Sequence, residues 1–108
     1  KLNRIQNKWV VTNAYVMKGK VKKDALKEFH STQFEFKKNN KLKITDSKRR
    51  NKSDYGSWEF NGLNSLRIHL YESNINFTID ILEEDKLKLT SEGKRNKKVI
   101  SFKPEKLF

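Results

Sequence analysis

Hydrophobic and polar residues alternate with a period of two along most of the chain, which is the pattern of strands that bury one face. Eight such segments occur, at residues 9–20, 34–36, 42–44, 56–60, 66–70, 77–81, 87–89 and 99–102. None of the connections between them is long enough for a crossover helix. About eight strands that pair with their sequence neighbours tend to close and remove exposed edges. The pattern therefore predicts an all-β, eight-stranded antiparallel up-and-down meander barrel.

Most of the connections have the composition of tight turns. Polar turns are expected at residues 38–40, 61–62 and 83–85, and the Asn-Gly pair at 61–62 is a strong hairpin signal. The connection at residues 22–30 differs, because Ala25, Leu26 and Phe29 have a spacing compatible with one or two turns of amphipathic helix. We therefore predict one short helix, a lid or plug, between the first two strands.

The length and composition are those of one small domain. The 108 residues include seven Phe, two Trp and three Tyr, which is sufficient for a single core. We expect a polar N-terminal linker at residues 1–8, the barrel domain at 9–103 and a C-terminal tail at 104–108, because Pro104 ends strand pairing. The chain has no cysteine, so cysteine usage does not reveal its compartment, and no apolar run of about 18 residues that would span a bilayer.

Two tryptophan segments resemble those of a known group of proteins. Gly56-Ser57-Trp58 lies in mid-chain, and Asn7-Lys8-Trp9 opens the first strand with Asn in place of Gly. Over residues 7–103 this resembles the small bacterial lipocalin-like domains of exported proteins and lipoproteins. The resemblance implies that Trp9 plugs the closed end of the barrel. It also implies a periplasmic or cell-surface location, with any export signal or lipid anchor upstream of Lys1.

The inward face of the predicted barrel is bulky and almost wholly apolar. Eight strands leave an interior that is either just filled or wide enough for one small ligand, and this lining favours a filled or small cavity. If a ligand enters, we expect the following residues to contact it: Tyr15, Phe34, Phe36, Trp58, Phe60, Ile68, Phe77 and Ile79.

The net charge of +12 is distributed unevenly between the two ends of the predicted meander. Successive connections alternate between the ends, and more than half of the charge falls at the end that the resemblance makes the open mouth. The basic rim that we predict there contains Lys20, Lys22, Lys23, Arg49, Arg50, Arg95 and Lys97. Such a rim concentrates anions, which favours fatty acids, other anionic lipids, an anionic surface or acidic polysaccharide. The competing interpretation is that these lysines only solvate loops in a chain rich in Lys and Asn.

Catalysis has little support in the sequence. His30 and His69 lie on different elements, and His69 is expected to point outward, where Glu59 would pair with Arg67 or His69 across a hairpin. There is no glycine-rich phosphate loop, no nucleophile motif and no zinc spacing. We therefore predict a non-enzymatic protein with no catalytic residue, no cofactor and no metal.

Three functions remain open at this point. The leading hypothesis is binding of a small apolar or amphipathic anion, such as a fatty acid or lipid, by a monomeric barrel. Nucleic acid or another polyanion is a less favoured partner, because most aromatics alternate into the core and only Tyr55 and Tyr71 are expected beside basic loops. The third function is a filled barrel that serves as a protein-interaction module.

Overall fold

Strands make up most of the protein. The computed structural model describes residues 2–25, 32–46, 52–92 and 96–105. A short helix, α1 (Leu2–Ile5), is followed by nine strands: β1 (Lys8–Lys18), β2 (Val21–Asp24), β3 (Thr32–Phe36), β4 (Lys41–Asp46), β5 (Lys52–Phe60), β6 (Ser65–Leu70), β7 (Ser73–Leu82), β8 (Leu87–Glu92) and β9 (Asn96–Pro104). A single 3-10 turn, Lys38–Asn40, joins β3 to β4. All eight predicted strands are present.

The sheet closes because β1 pairs with both β3 and β9. Around the ring the order is β1, β3, β4, β5, β6, β7, β8, β9, and all pairs are antiparallel. The ninth strand, β2, folds back beside the second half of β1. The predicted eight-stranded antiparallel barrel is therefore confirmed. We call the end at which β1 begins the closed end, and the end with the β1–β2 and β6–β7 turns the open end.

The closed end is plugged by the N-terminal segment. Ile5 in α1 is fully buried and belongs to the same core as Trp9 and Phe34. The Trp9 indole Nε1 donates a hydrogen bond to the Ile5 carbonyl oxygen at 3.1 Å. Within the segment that we expected to be a polar linker, residues 1–8, Ile5 is therefore part of the barrel core. An isolated apolar residue can enter a core in this way, because hydrophobic burial needs no extended pattern.

Replacing Ile5 by alanine should lower the free energy of unfolding by about 2 kcal/mol, because it leaves a cavity under Trp9. Urea denaturation with an unchanged m-value measures this loss. Arg4→Ala is the matched control, since Arg4 is exposed in the same helix and should change stability by less than about 0.5 kcal/mol. Equal effects of the two substitutions would mean that residues 2–5 behave as a solvated linker.

The alternation of inward-facing and outward-facing residues in β1 changes along the strand. Trp9 and Val11 face the core, but a bulge between Val11 and Asn13 shifts the register, so the next buried residue is Ala14. Tyr15, which we expected inside, lies on the outer face with the Lys22 ammonium 4.4 Å from its ring centroid. One extra residue in a strand transfers every later side chain to the opposite face. Tyr15 is therefore not part of the barrel interior.

The predicted helix at residues 22–30 is wrong in its described part. Lys22, Lys23 and Asp24 are extended and pair with β1, after a turn in which Gly19 has φ +61°. Strand β3 pairs only with residues 8–10 of β1. The same edge of β1 is therefore available to β2 over the second half of β1. Backbone pairing to this edge outweighs a weak local helix preference. Residues 26–30 lie outside the described residues.

Candidate functional site

The barrel contains a cavity of about 340 Å³ at its open end. This volume is near the lower limit for small-molecule sites, which run from roughly 300 to 1,000 Å³. Its wall is mostly apolar, formed by Phe34, Ile44, Ile68, Leu70, Ile75, Phe77 and Ile100. Its polar lining residues are Thr32, Asp46, Asp54, Ser91 and Lys98, and we call this group the mouth. The interior is thus filled at the closed end and hollow at the open end.

The predicted interior residues fall into two groups. Phe34, Ile68 and Phe77 line the cavity. The others apart from Tyr15 pack in the core outside it: Phe36, Trp58, Phe60 and Ile79. The aromatic members stack edge to face, with Trp58 5.7 Å from Phe36 and 5.6 Å from Phe60 between ring centroids. These aromatics fill the barrel, so their role is structural.

One side of the mouth is acidic. Thr32 on β3 stands opposite Asp46 on β4, and Ile44 stands opposite Asp54 on β5, so the two carboxylates are diagonal neighbours on the inner face. The Tyr71 hydroxyl, from the β6–β7 turn, donates a hydrogen bond to Asp54 Oδ1. We call Thr32, Asp46 and Asp54 the acidic arc.

The other side of the mouth is basic. Ser91 on β8 stands directly opposite Lys98 on β9, and both are half-buried. In the ring of eight strands, β8 and β9 lie across the barrel from β4 and β5. The mouth therefore presents an ammonium and a hydroxyl to the acidic arc across the opening.

Sequence reasoning missed every polar residue of the mouth. The signal was present, because Asp46 is in phase with Leu42 and Ile44, and Lys98 is in phase with Ile100. A polar residue that continues the inward phase at the end of a strand lines the opening of the barrel. Such residues are taken for loop residues if the strand is assumed to end at its last apolar residue.

The basic rim is only partly described. Lys20, Lys22, Lys23 and Lys97 are exposed at the open end, on the turn after β1, on β2 and on β9. Lys97 stands opposite Met17 on the outer face, whereas its neighbour Lys98 lines the cavity. The described rim residues thus lie along one side of the opening. Arg49, Arg50 and Arg95 lie outside the described residues.

The outer face carries polar pairs that sequence reasoning anticipated. Arg67 Nη1 lies 3.4 Å from Glu59 Oε1, which confirms the predicted cross-strand pair. His69 points outward, with Nδ1 2.6 Å from the Asn74 Oδ1. Tyr55 and Tyr71 are both exposed, as expected. His30 lies outside the described residues.

Metal-ligand clusters and membrane-spanning helices are both absent from the described part of the chain. Within residues 2–25, 32–46, 52–92 and 96–105, no three His, Asp or Glu side chains come together as metal ligands. No helix among these residues is long and apolar enough to cross a membrane.

Comparison with known proteins supports the architecture. No family model matches the chain, and no curated protein matches it. The crystal structure of a lipocalin-like protein from Bacteroides uniformis superposes on 94% of this chain and 98% of that one, with a TM-score of 0.68 at 15% sequence identity. At this identity the likeness concerns the fold alone. The chain therefore has a lipocalin-like barrel fold.

Proposed function

We propose that the barrel binds a small amphipathic molecule with an anionic group, such as a fatty acid or another single-chain lipid. The observation that carries the proposal is the apolar cavity of about 340 Å³, which has Lys98 at its mouth. The hydrocarbon tail would lie against Phe34, Ile68 and Phe77, where each buried methylene contributes about 0.8 kcal/mol. The anionic group would lie beside Lys98 and Ser91.

The exposed lysines support the choice of an anion. Lys20, Lys22, Lys23 and Lys97 lie on β9, β2 and the turn that follows β1, which is the side of the opening where Lys98 faces inward. Charges of one sign around an opening raise the local concentration of the opposite ion and speed its association. This contribution should weaken with added salt, because the lysines are exposed and therefore screened.

Blocking the cavity should weaken tail binding. In Ile75→Trp the indole would occupy part of the cavity, and we expect dodecanoate affinity to fall at least about tenfold, equivalent to 1.4 kcal/mol. Isothermal titration with dodecanoate measures the change, and native mass spectrometry gives the stoichiometry. Leu63→Trp is the matched control, because Leu63 is 83% exposed at the closed end and should leave affinity unchanged. An Ile75→Trp variant that binds dodecanoate as tightly as the native protein would contradict the proposal.

A non-enzymatic role at the cell surface or in the periplasm forms part of the proposal. Glu59 and His69 are exposed on the outer face, where Arg67 and Asn74 contact them. They lie outside the cavity lining. The location follows from the resemblance of the two tryptophan segments to those of exported lipocalin-like domains.

Polyanion binding is the second candidate, and the β1–β2 hairpin is the observation that favours it. Lys18, Lys20, Lys22 and Lys23 are exposed there around Val21, which is 66% exposed. A nucleic-acid platform also needs aromatic rings beside the cations. The exposed rings of Tyr55 and Tyr71 belong to β5 and the β6–β7 turn, on the far side of the barrel. The hairpin therefore fits an anionic surface better than a stacked nucleic acid.

A further inference from the structure

The described charges at the mouth have both signs. Asp46 and Asp54 line the cavity on one side, and Lys98 lines it on the other. A fatty-acid carboxylate would lie beside Lys98 but would bring a third negative charge near two aspartates. Like charges that are partly removed from water repel one another.

We infer that the preferred ligand is a single-chain amphiphile with a zwitterionic head group that carries a primary ammonium, of the phosphoethanolamine type. Its anionic group lies at Ser91 and Lys98, and its ammonium lies at the acidic arc. The inference rests on the proposed function, because the tail occupies the same cavity. It adds the chemical class of the head group.

The acidic arc has the acceptors that a primary ammonium requires. An –NH₃⁺ group has three donors and no acceptor. Asp46 stands opposite Thr32 and diagonal to Asp54, so two carboxylates and one hydroxyl converge on one part of the mouth. Charge-assisted hydrogen bonds of this kind are about twice as strong as neutral ones. A quaternary ammonium lacks N–H donors and would gain only the charge attraction.

Thr32 gives an independent indication that a polar ligand group belongs here. The residue is 6% exposed, and it faces the cavity in phase with Phe34 and Phe36. Among the described residues no group makes a hydrogen bond with its hydroxyl, and no described side-chain polar atom is sealed away without a partner. The hydroxyl is therefore accessible from the cavity. A ligand group in the cavity that donates a hydrogen bond can therefore reach this hydroxyl.

Tyr71 helps to position the acidic arc. Its hydroxyl donates to Asp54, and its backbone has φ 57°, a conformation that is unusual for a bulky residue. The other described non-glycine residues with positive φ are Asn39 and Asn40, and asparagine tolerates this region. The turn thus places the phenol where it holds one Asp54 oxygen and leaves the other for a ligand.

Three ligands with the same tail and different head groups test the inference. They are dodecylphosphoethanolamine, dodecylphosphocholine and dodecylphosphoglycerol, titrated calorimetrically below the concentrations at which they form micelles. The native protein should bind the phosphoethanolamine about tenfold more tightly than either of the others, since only its head group donates N–H bonds to the acidic arc. Equal affinity for all three ligands would overturn the inference and leave the proposed function standing. Failure of all three to bind would contradict the proposed function itself.

Substitutions at the mouth test which of its two sides, the acidic arc or Lys98, determines the preference for the phosphoethanolamine head group. Asp46→Asn combined with Asp54→Asn should reduce the tenfold preference to about one, because the amides keep an acceptor but lose the charge. Lys98→Met should lower the affinity for all three ligands by the same factor and retain the preference. Glu84→Gln with Asp85→Asn, on the β7–β8 turn at the closed end, is the charge-matched control and should change nothing. A preference that survives the double aspartate substitution would overturn the inference. The selectivity of the native protein still tests it if that variant does not fold.

Discussion

Replacing Trp9 by alanine should lower the free energy of unfolding by about 4 kcal/mol, near the middle of the range for large aromatics in cores. Trp9 is fully buried at the closed end, where it stands opposite Phe34 on β3 and Pro104 on β9. It therefore contacts the two strands between which β1 closes the barrel. Urea denaturation measures the loss directly, and thermal unfolding should shift by roughly 15 °C or more in a domain of this size.

Trp9→Phe separates the packing of the ring from its hydrogen bond. Phenylalanine retains most of the apolar volume but leaves the Ile5 carbonyl oxygen without the indole donor, 3.1 Å away in the native protein. We expect a loss of about 1–2 kcal/mol, the cost of a buried acceptor that loses its partner. Ligand affinity should not change, because Trp9 is not part of the cavity lining. A loss below about 1 kcal/mol in Trp9→Ala would show that the closed end does not depend on this residue.

The strands could be predicted because one inward face and one outward face give a clear alternation. In β4, Leu42 is buried beside exposed Lys41, and in β6 Leu66 and Ile68 are buried on either side of Arg67. Boundaries were less accurate. Strand β7 begins at Ser73, whereas we expected it to begin at Phe77, although Ile75 continues the same alternation. Backbone pairing with β6 extends the strand through polar residues, and side-chain pattern does not report backbone pairing.

The phase of β1 could not be derived from the sequence. Both faces of this segment are apolar, so alternation alone does not distinguish Ala14 from Tyr15 as the inward residue. The bulge between Val11 and Asn13 is set by pairing with β9, which is distant in sequence. The hairpin strand β2 was missed for a related reason, since its partner edge exists only once the barrel has formed. Tertiary pairing determined the structure at both positions.

The apolar part of the site was more predictable than its polar part. Phe34, Ile68 and Phe77 were identified from their inward phase, and the cavity wall follows from them. The opposed charges of Asp54 and Lys98 depend on which strands face each other across the ring, which the sequence shows only after the strand order is known. Because formal charge was summed loop by loop, the exposed lysines dominated the sum. That sum did not show that Asp46 and Asp54 line the cavity.

Gly56→Ala should lower the free energy of unfolding by at least about 3 kcal/mol, at the upper end of the usual cost of overpacking. A Cβ atom built on Gly56 would lie 2.2 Å from the His69 carbonyl oxygen, a backbone atom of the neighbouring strand β6. Backbone cannot rotate away as a side chain can, so β5 and β6 would have to separate. Because Trp58 follows two residues later on the same face and packs in the core, separation there would also disturb Trp58.

Two controls distinguish this close approach from a general intolerance of substitution in β5 or of glycine replacement. Ser57→Ala changes the exposed neighbour of Gly56 and should alter stability by less than about 0.5 kcal/mol. Gly19→Ala introduces a Cβ where nothing lies within 4 Å, but at φ +61°, and should cost about 1 kcal/mol from backbone strain alone. If Gly56→Ala cost no more than Gly19→Ala, the contact with His69 would not be what requires glycine. If Gly56→Ala is the most costly of the three, the glycine of the Gly-x-Trp segment lets β6 approach closely enough for Trp58 to pack.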